Sequence, residues 1–249
     1  MDLKNRVALV TGASRGLGAA IARALADDGA KVAVNFFGSA EKADRVVRDI
    51  QQAGGMARAF KADVRDEAQV DRLAREVAGA LGPIDILVVN ATGEQPMLSI
   101  EEIDWRSCLD QLEFFVKSPL LLVKATLEGM KARKNGRIIQ IGSEVFEAGL
   151  GRFSNYVSAK GAQLGLTRSW ARELGEWGIT VNMVSPGWIP TERHADIPDS
   201  AKADYASRTP LKRMGLPEEV GKTVVFLASD AAAFITGQKI AVNGGNTVE

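Results

Sequence analysis

Val7-Ala8-Leu9-Val10-Thr11-Gly12-Ala13-Ser14-Arg15-Gly16-Leu17-Gly18 is the stretch on which the fold turns. Four apolar residues read as a buried strand, and the amphipathic run Leu17–Asp27 that follows reads as a helix. Between them Gly12, Gly16 and Gly18 punctuate the turn in the spacing G-x-x-x-G-x-G, not the commoner G-x-G-x-x-G. Glycine adopts positive φ and lets backbone approach a phosphate, while a helix N-terminus presents unpaired N–H groups to an anion. A strand before and a helix after make this a dinucleotide loop. The plainer alternative is a turn that is glycine-rich for packing alone.

Outward from that loop, short β-branched runs alternate with longer helical patterns. Strands are expected at Val7–Val10, Lys31–Asn35, Met56–Lys61, Ile84–Val89, Arg137–Ile141, Thr180–Ser185 and Lys239–Val242. Helices are expected at Leu17–Asp27, Ala40–Gln52, Glu67–Ala80, Ile103–Lys134, Asn155–Glu176 and Pro217–Ser229. This alternation predicts an α/β fold: one doubly wound Rossmann-type domain over residues 1–249, with a seven-stranded parallel sheet flanked by helices on both faces. The run Trp188–Arg213 breaks the pattern, carrying three prolines, the sole histidine His194 and no strong period. A long irregular segment beyond a strand end is a candidate substrate lid, 188–213.

Composition narrows the class. Lys plus Arg and Asp plus Glu are both 31, so no net field draws the chain to nucleic acid or anionic lipid. One cysteine, Cys108, leaves no internal disulfide and fits a reducing compartment. No segment approaches the roughly 20 apolar residues that span a bilayer. The expectation is a cytoplasmic protein that binds neither membrane nor nucleic acid, with no metal site.

The second decisive run is Tyr156-Val157-Ser158-Ala159-Lys160, preceded by Ser143. A phenol and an amine four residues apart share one helix face. Free tyrosine has a pKa near 10, and a nearby ammonium favours the phenolate. Tyr156 is therefore the candidate general acid for reducing a carbonyl and base for oxidising an alcohol. Lys160 is expected to lower its pKa and reach the nicotinamide ribose, and Ser143 to polarise the substrate oxygen. With a dinucleotide loop in the same chain, this set points to hydride transfer.

Cofactor choice is read from the second strand. An acid closing it would hold a ribose 2′-hydroxyl and favour NAD. Here Asn35-Phe36-Phe37-Gly38-Ser39 has no carboxylate, while Arg15 and Ser39 suit a 2′-phosphate. NADP(H) is predicted over NAD(H).

Taken together, Thr11–Gly18, Asp63-Val64, Asn90-Ala91, Ser143, Tyr156-x-x-x-Lys160, Pro186-Gly187 and Ile235-Thr236-Gly237-Gln238 resemble the short-chain dehydrogenase/reductase family of single-domain type, from about Leu3 to the C-terminus. The chain is similar to 3-oxoacyl-(acyl-carrier-protein) reductases among them. The resemblance implies a cofactor site of Gly12, Ser14, Arg15, Gly16, Leu17, Gly18, Asn35, Ser39, Asp63, Val64, Asn90, Ala91, Tyr156, Lys160, Pro186, Gly187, Ile189 and Thr191. Within it, Asp63 and Val64 would contact adenine, Asn90 would lie beside the adenosine ribose, and Ile189 and Thr191 would hold the carboxamide. It also implies a homotetramer.

Two departures stand out. The position where many relatives carry a relay asparagine falls on Phe115, within a segment about three residues longer than usual. Gln111, one turn earlier, is the candidate substitute, and a bulged helix would change which side chain points inward. Thr92 stands in place of a glycine near the cofactor, with Gly93 able to take over by a one-residue shift.

Glu94, Glu144, Phe146 and Trp188 are the candidate substrate residues, with Gln95, Glu147, Phe153 and His194 nearby. The acids around Ser143 favour a small secondary alcohol or ketone, with hydroxyls or a cation for Glu144 to recognise; a solvent-facing acid, or a partner for Arg152, is the plainer alternative. A 3-oxoacyl reductase of fatty-acid synthesis is the runner-up, and a nucleotide-binding regulator without catalysis the remote third.

Overall fold

The computed structural model describes residues 1–248. Seven parallel strands form one sheet: β1 Val7–Val10, β2 Lys31–Phe36, β3 Met56–Lys61, β4 Ile84–Val89, β5 Gly136–Ile141, β6 Ile179–Pro186 and β7 Lys239–Val242. Their spatial order is β3-β2-β1-β4-β5-β6-β7. The order reverses between β1 and β4, and such a switch point opens a crevice at the strand C-termini. Thr11, Asn90 and Ala91 lie at that crevice because they follow directly on the two strands.

β1 and β5 are buried along their whole length and β4 nearly so, as expected when helices cover both faces. One apolar layer joins α1 (Gly16–Asp27), α2 (Ala40–Gln52) and α9 (Pro217–Ala228) to the sheet. The other lies under α3 (Glu67–Leu81), α5 (Ser118–Arg133) and α7 (Ser154–Leu174). Between α7 and the residues before α5 sits a small third cluster of Phe115, Tyr156 and Ala159.

Two expectations change. The single helix Ile103–Lys134 divides into α4 (Trp105–Leu112), a π-helical turn over Glu113–Lys117, and α5. A π turn absorbs additional residue length without ending the helix, which takes up part of the longer segment. The 188–213 run also contains regular structure: α8 spans Asp199–Arg208 after Pro198. Its polar composition and weak amphipathic period hid it, with Lys202 pairing Asp199 (i,i+3) and Arg208 pairing Asp204 (i,i+4). A four-residue helix α6, Val145–Ala148, completes the set. Among the described residues no helix is long and apolar enough to cross a membrane.

Candidate active site

The glycine loop is shaped by close approach. Gly12 has φ +62°, and a Cβ there would lie 2.8 Å from Ala91 Cα. A Cβ on Gly18 would sit 2.4 Å from Gly12 O and 2.5 Å from Asn90 Nδ2. Neither position takes a side chain. Thr11, fully buried, accepts from the N–H groups of Asn90 (2.9 Å) and Ala91 (3.1 Å), and Asn90 Nδ2 donates back to Thr11 O at 2.9 Å. These bonds rivet the ends of β1 and β4 together. Asn90 thus has its amide turned to the loop backbone.

Asn35 plays a similar part. Its side chain donates to Ala62 O at 3.2 Å and accepts from Gly12 N at 3.3 Å, and the residue is 1% exposed. It braces the loop from beneath while lining the same cleft.

The resulting cleft is lined by Gly12, Ser14 through Gly18, Asn35, Phe37, Ser39, Asp63, Val64, Asn90, Ala91, Thr92, Ile189 and Thr191. Its form fits a dinucleotide: the loop that no Cβ can enter forms the floor, and Arg15 and Ser39 stand at one end with no acid closing β2. The Asp63 carboxylate is held by Arg65 at 2.7 Å, which keeps it below the usual carboxylate range. Arg65 in turn stacks over Phe114 at 4.7 Å. Thr92 lines the cleft, while Gly93 packs on Phe114 and leaves no room for a Cβ. From the far side, Glu192 Oε1 accepts from Gly16 N at 2.9 Å and Arg193 donates to Gly93 O at 2.7 Å.

Ser143, Tyr156 and Lys160 meet at one wall of an adjoining cleft of about 940 Å³. β5 delivers Ser143, and the opening turns of α7 carry the other two. Burial pushes the Tyr156 phenol up to about 12, against a hydrogen bond to Ser143 and the Arg193 guanidinium, which pull it down.

Lys160 is placed differently from expectation. Its Nζ donates to Ile141 O (2.7 Å) and Gln163 Oε1 (3.0 Å) and lies 3.7 Å from the centre of the Phe115 ring. Burial pulls the ammonium well below its usual value. Its hydrogen bonds point to β5 and down its own helix, with Nζ 5.5 Å from the centre of the Tyr156 ring. The Phe115 ring, itself 5.3 Å edge-on from Tyr156, fills the space between them and α5. Gln111, the candidate substitute for the relay asparagine, makes no hydrogen bond to Lys160. Its Nε2 is spent on Glu94 O at 2.8 Å, and Gln163, which the sequence reading passed over, is the amide that meets the lysine.

The expected substrate residues separate. Glu94 and Trp188 line the cleft. Phe146 turns away and packs against α7, where a Cβ on Gly161 would strike its ring at 2.7 Å. Glu147 is engaged by Lys239 at 2.7 Å. Glu144 lines the cleft but is 7% exposed, its oxygens taken by Tyr205 (2.6 Å) and Asn246 (3.1 Å). It therefore neither faces solvent nor pairs with Arg152, which binds Glu102 instead. Burial and that carboxylate push the Tyr205 phenol up. His194 caps the turn at Thr191, with Nδ1 3.2 Å from Thr191 N, and burial lowers its pKa. The remaining walls are largely apolar, formed by Met97, Leu150, Phe153 and Ile197, with Arg193 and Arg208 at the margin.

A dinucleotide cleft opening onto a buried phenol and a serine hydroxyl defines a class of hydride-transferring oxidoreductase. Comparison with known proteins agrees. A family model described as enoyl-(acyl carrier protein) reductase matches residues 12–247. A Staphylococcus aureus 3-oxoacyl-[acyl-carrier-protein] reductase is 40% identical over 240 residues, 96% of each chain. A solved short-chain dehydrogenase/reductase variant from Serratia marcescens superposes with a TM-score of 0.91 at 34% identity, covering all of both chains. A 3-oxoacyl (acyl-carrier-protein) reductase structure from Agrobacterium tumefaciens with NADP bound gives 0.91 at 33%, covering 98% of this chain and 95% of that one. The chain belongs to the short-chain dehydrogenase/reductase family, and is an oxidoreductase.

Proposed function

We propose that this enzyme reduces a 3-oxoacyl thioester to the 3-hydroxyacyl form. The observation that carries this reading over a small polar alcohol or ketone is the state of the acids beside Ser143. Glu144 and Glu147, which favoured a hydroxylated or cationic substrate, are both engaged within the protein. What is left to touch substrate is mainly apolar, suited to an acyl chain. The similarity to 3-oxoacyl reductases points the same way.

The cofactor is NADP(H), which supplies the hydride when bound. Arg15 and Ser39 would hold its 2′-phosphate, and Gly12 through Gly18 its pyrophosphate. Ser143 donates to the substrate carbonyl oxygen as negative charge develops there. Tyr156, protonated at neutral pH, gives its proton to that oxygen and is the general acid. Lys160 holds the start of α7 against β5 through Ile141 O and supplies positive charge behind the phenol. Residues 1–249 act as one dinucleotide-binding and catalytic domain with 188–213 as its substrate lid. The expected assembly is a homotetramer, and sedimentation showing only monomer would overturn it.

The test is NADPH consumption with acetoacetyl-CoA beside a panel of small ketones and sugars. Turnover of the thioester at least about a hundredfold more efficient than of any small ketone is expected. An enzyme inert to thioesters but active on a small ketone would refute the reading.

A further inference from the structure

We propose that Glu144 is a positioning residue that clasps the lid over the substrate cleft, gripping Tyr205 of α8 with one carboxylate oxygen and Asn246 of the C-terminal segment with the other. The proposal rests on reading the cleft beside Ser143 as the oxoacyl site. The residue directly after Ser143 thereby ties three separate parts of the chain together.

The joint is built, not incidental. Tyr205 Oη donates to Glu144 Oε1 at 2.6 Å and accepts from Trp188 N at 2.9 Å, so one hydroxyl ties α8 both to the lid's first residue and to Glu144. Its ring also meets Trp188 edge-on at 5.5 Å. Glu144 N–H donates to Pro186 O at 3.0 Å, which places the carboxylate beneath the lid's first residue. Gly187 makes the contact possible: a Cβ there would lie 2.4 Å from Tyr205 Oη and 2.9 Å from Asn243 Cβ. Any other residue would push the phenol off.

The physical consequence is a two-state joint. A buried carboxylate stripped of one partner is costly, because the charge stays out of water with its hydrogen bonds unmade. Glu144 is thus stable when both partners are in place, or when the lid lifts and water reaches it. The halfway state is the poor one, so α8 and the tail should move as a unit. Since Glu144, Gly187, Trp188, Tyr205 and Asn246 all line the cleft, the clasp sets its closed width.

Amide hydrogen exchange and steady-state kinetics on the full-length protein test this. Tyr205→Phe removes a hydrogen bond to a charged group, and should speed exchange across Asp199–Arg208 and raise the KM for acetoacetyl-CoA by about tenfold each. NADPH affinity should change by less than about twofold. Glu144→Gln keeps an acceptor for Tyr205 and should be milder than Tyr205→Phe on both measures. Glu144→Ala combined with Tyr205→Phe should be no worse than either alone, since each opens the same joint. Exchange across α8 within about twofold of wild type in Tyr205→Phe would overturn the clasp, as would additive effects in the double variant. Should Tyr205→Phe fail to fold, Glu144→Ala against Glu144→Gln gives the same comparison: exchange no faster in the alanine variant overturns it. If the wild-type enzyme ignores thioesters, the exchange data still decide the clasp while the oxoacyl reading falls.

Discussion

The contact between Lys160 and Phe115 should be measurable as a coupling energy. The ammonium lies 3.7 Å from the ring centre, and both residues are 3% exposed. A desolvated cation over an aromatic face is worth about 2 kcal/mol. Phe115→Leu removes the ring's quadrupole but leaves an apolar side chain, and Lys160→Met removes the charge while keeping a long unbranched one. Each single change does other damage: Phe115→Leu also loses the edge contact with Tyr156, about 0.5–1.5 kcal/mol, and Lys160→Met gives up the bonds to Ile141 and Gln163. A double-mutant cycle by guanidinium denaturation cancels those terms and isolates the pair. While Lys160 carries its proton the expected coupling is roughly 2 kcal/mol. The pH dependence has a definite sign. Burial holds the folded pKa of Lys160 well below 10.5, so between the two values the unfolded chain binds the extra proton. Wild-type stability should therefore rise with pH through that window, and Lys160→Met should flatten this rise. The coupling should shrink over the same range as the ammonium disappears. A coupling below about 0.5 kcal/mol at every pH at which the protein stays folded, within the ordinary error of additivity, would refute the ring's assigned role.

Three further outcomes are expected. Tyr156→Phe should lower the rate of reduction by about a hundredfold to ten-thousandfold while the Kd for NADPH, followed by fluorescence, stays within about threefold; substantial residual turnover would place the acid elsewhere. With the phenol pushed up to about 12, reduction should hold a level rate from about pH 6 to about pH 9, while the reverse oxidation, which needs phenolate, should climb close to tenfold per pH unit; a stopped-flow profile of reduction falling near neutrality would contradict this. Gly18→Ala, whose Cβ would lie 2.4 Å from Gly12 O, should weaken NADPH binding by about a hundredfold or more in a fluorescence titration, and near-normal affinity would show that the loop can move aside.

Much of this was legible in the chain because its signals are local. Four apolar residues, a glycine turn and an amphipathic run fix β1, the loop and α1 without reference to anything distant. Ser143, Tyr156 and Lys160 were legible as types for the same reason, and the structure does bring them together. What was hidden depends on which partner a polar group finds. Glu144 read as a substrate acid because nothing local reveals Tyr205, 61 positions away. Lys160 read as the phenol's electrostatic helper, but its nitrogen prefers Ile141 O and Gln163. Arg193, which acts on Tyr156, and Asn246 sit in segments with no period to mark them. Asn35 read only as a residue at the cofactor side of a strand, and nothing local shows that its amide also braces the loop through Gly12 N and Ala62 O.

The π-helical turn at Glu113–Lys117 has a bearing on how this chain is aligned with its relatives. An α-helix advances about 100° per residue, so a single residue taken up in a widened turn shifts the rotational phase of everything on one side by that amount. Between Ser118 and Arg133, residue-by-residue correspondence counted back from Gly136 preserves which way each side chain faces. Upstream, across Trp105–Leu112, the same count is rotated by about 100° for each residue taken up. Substitutions transplanted from a relative into that upstream stretch need their facing matched in three dimensions, because a residue count that ignores the widened turn rotates them about 100° around the cylinder.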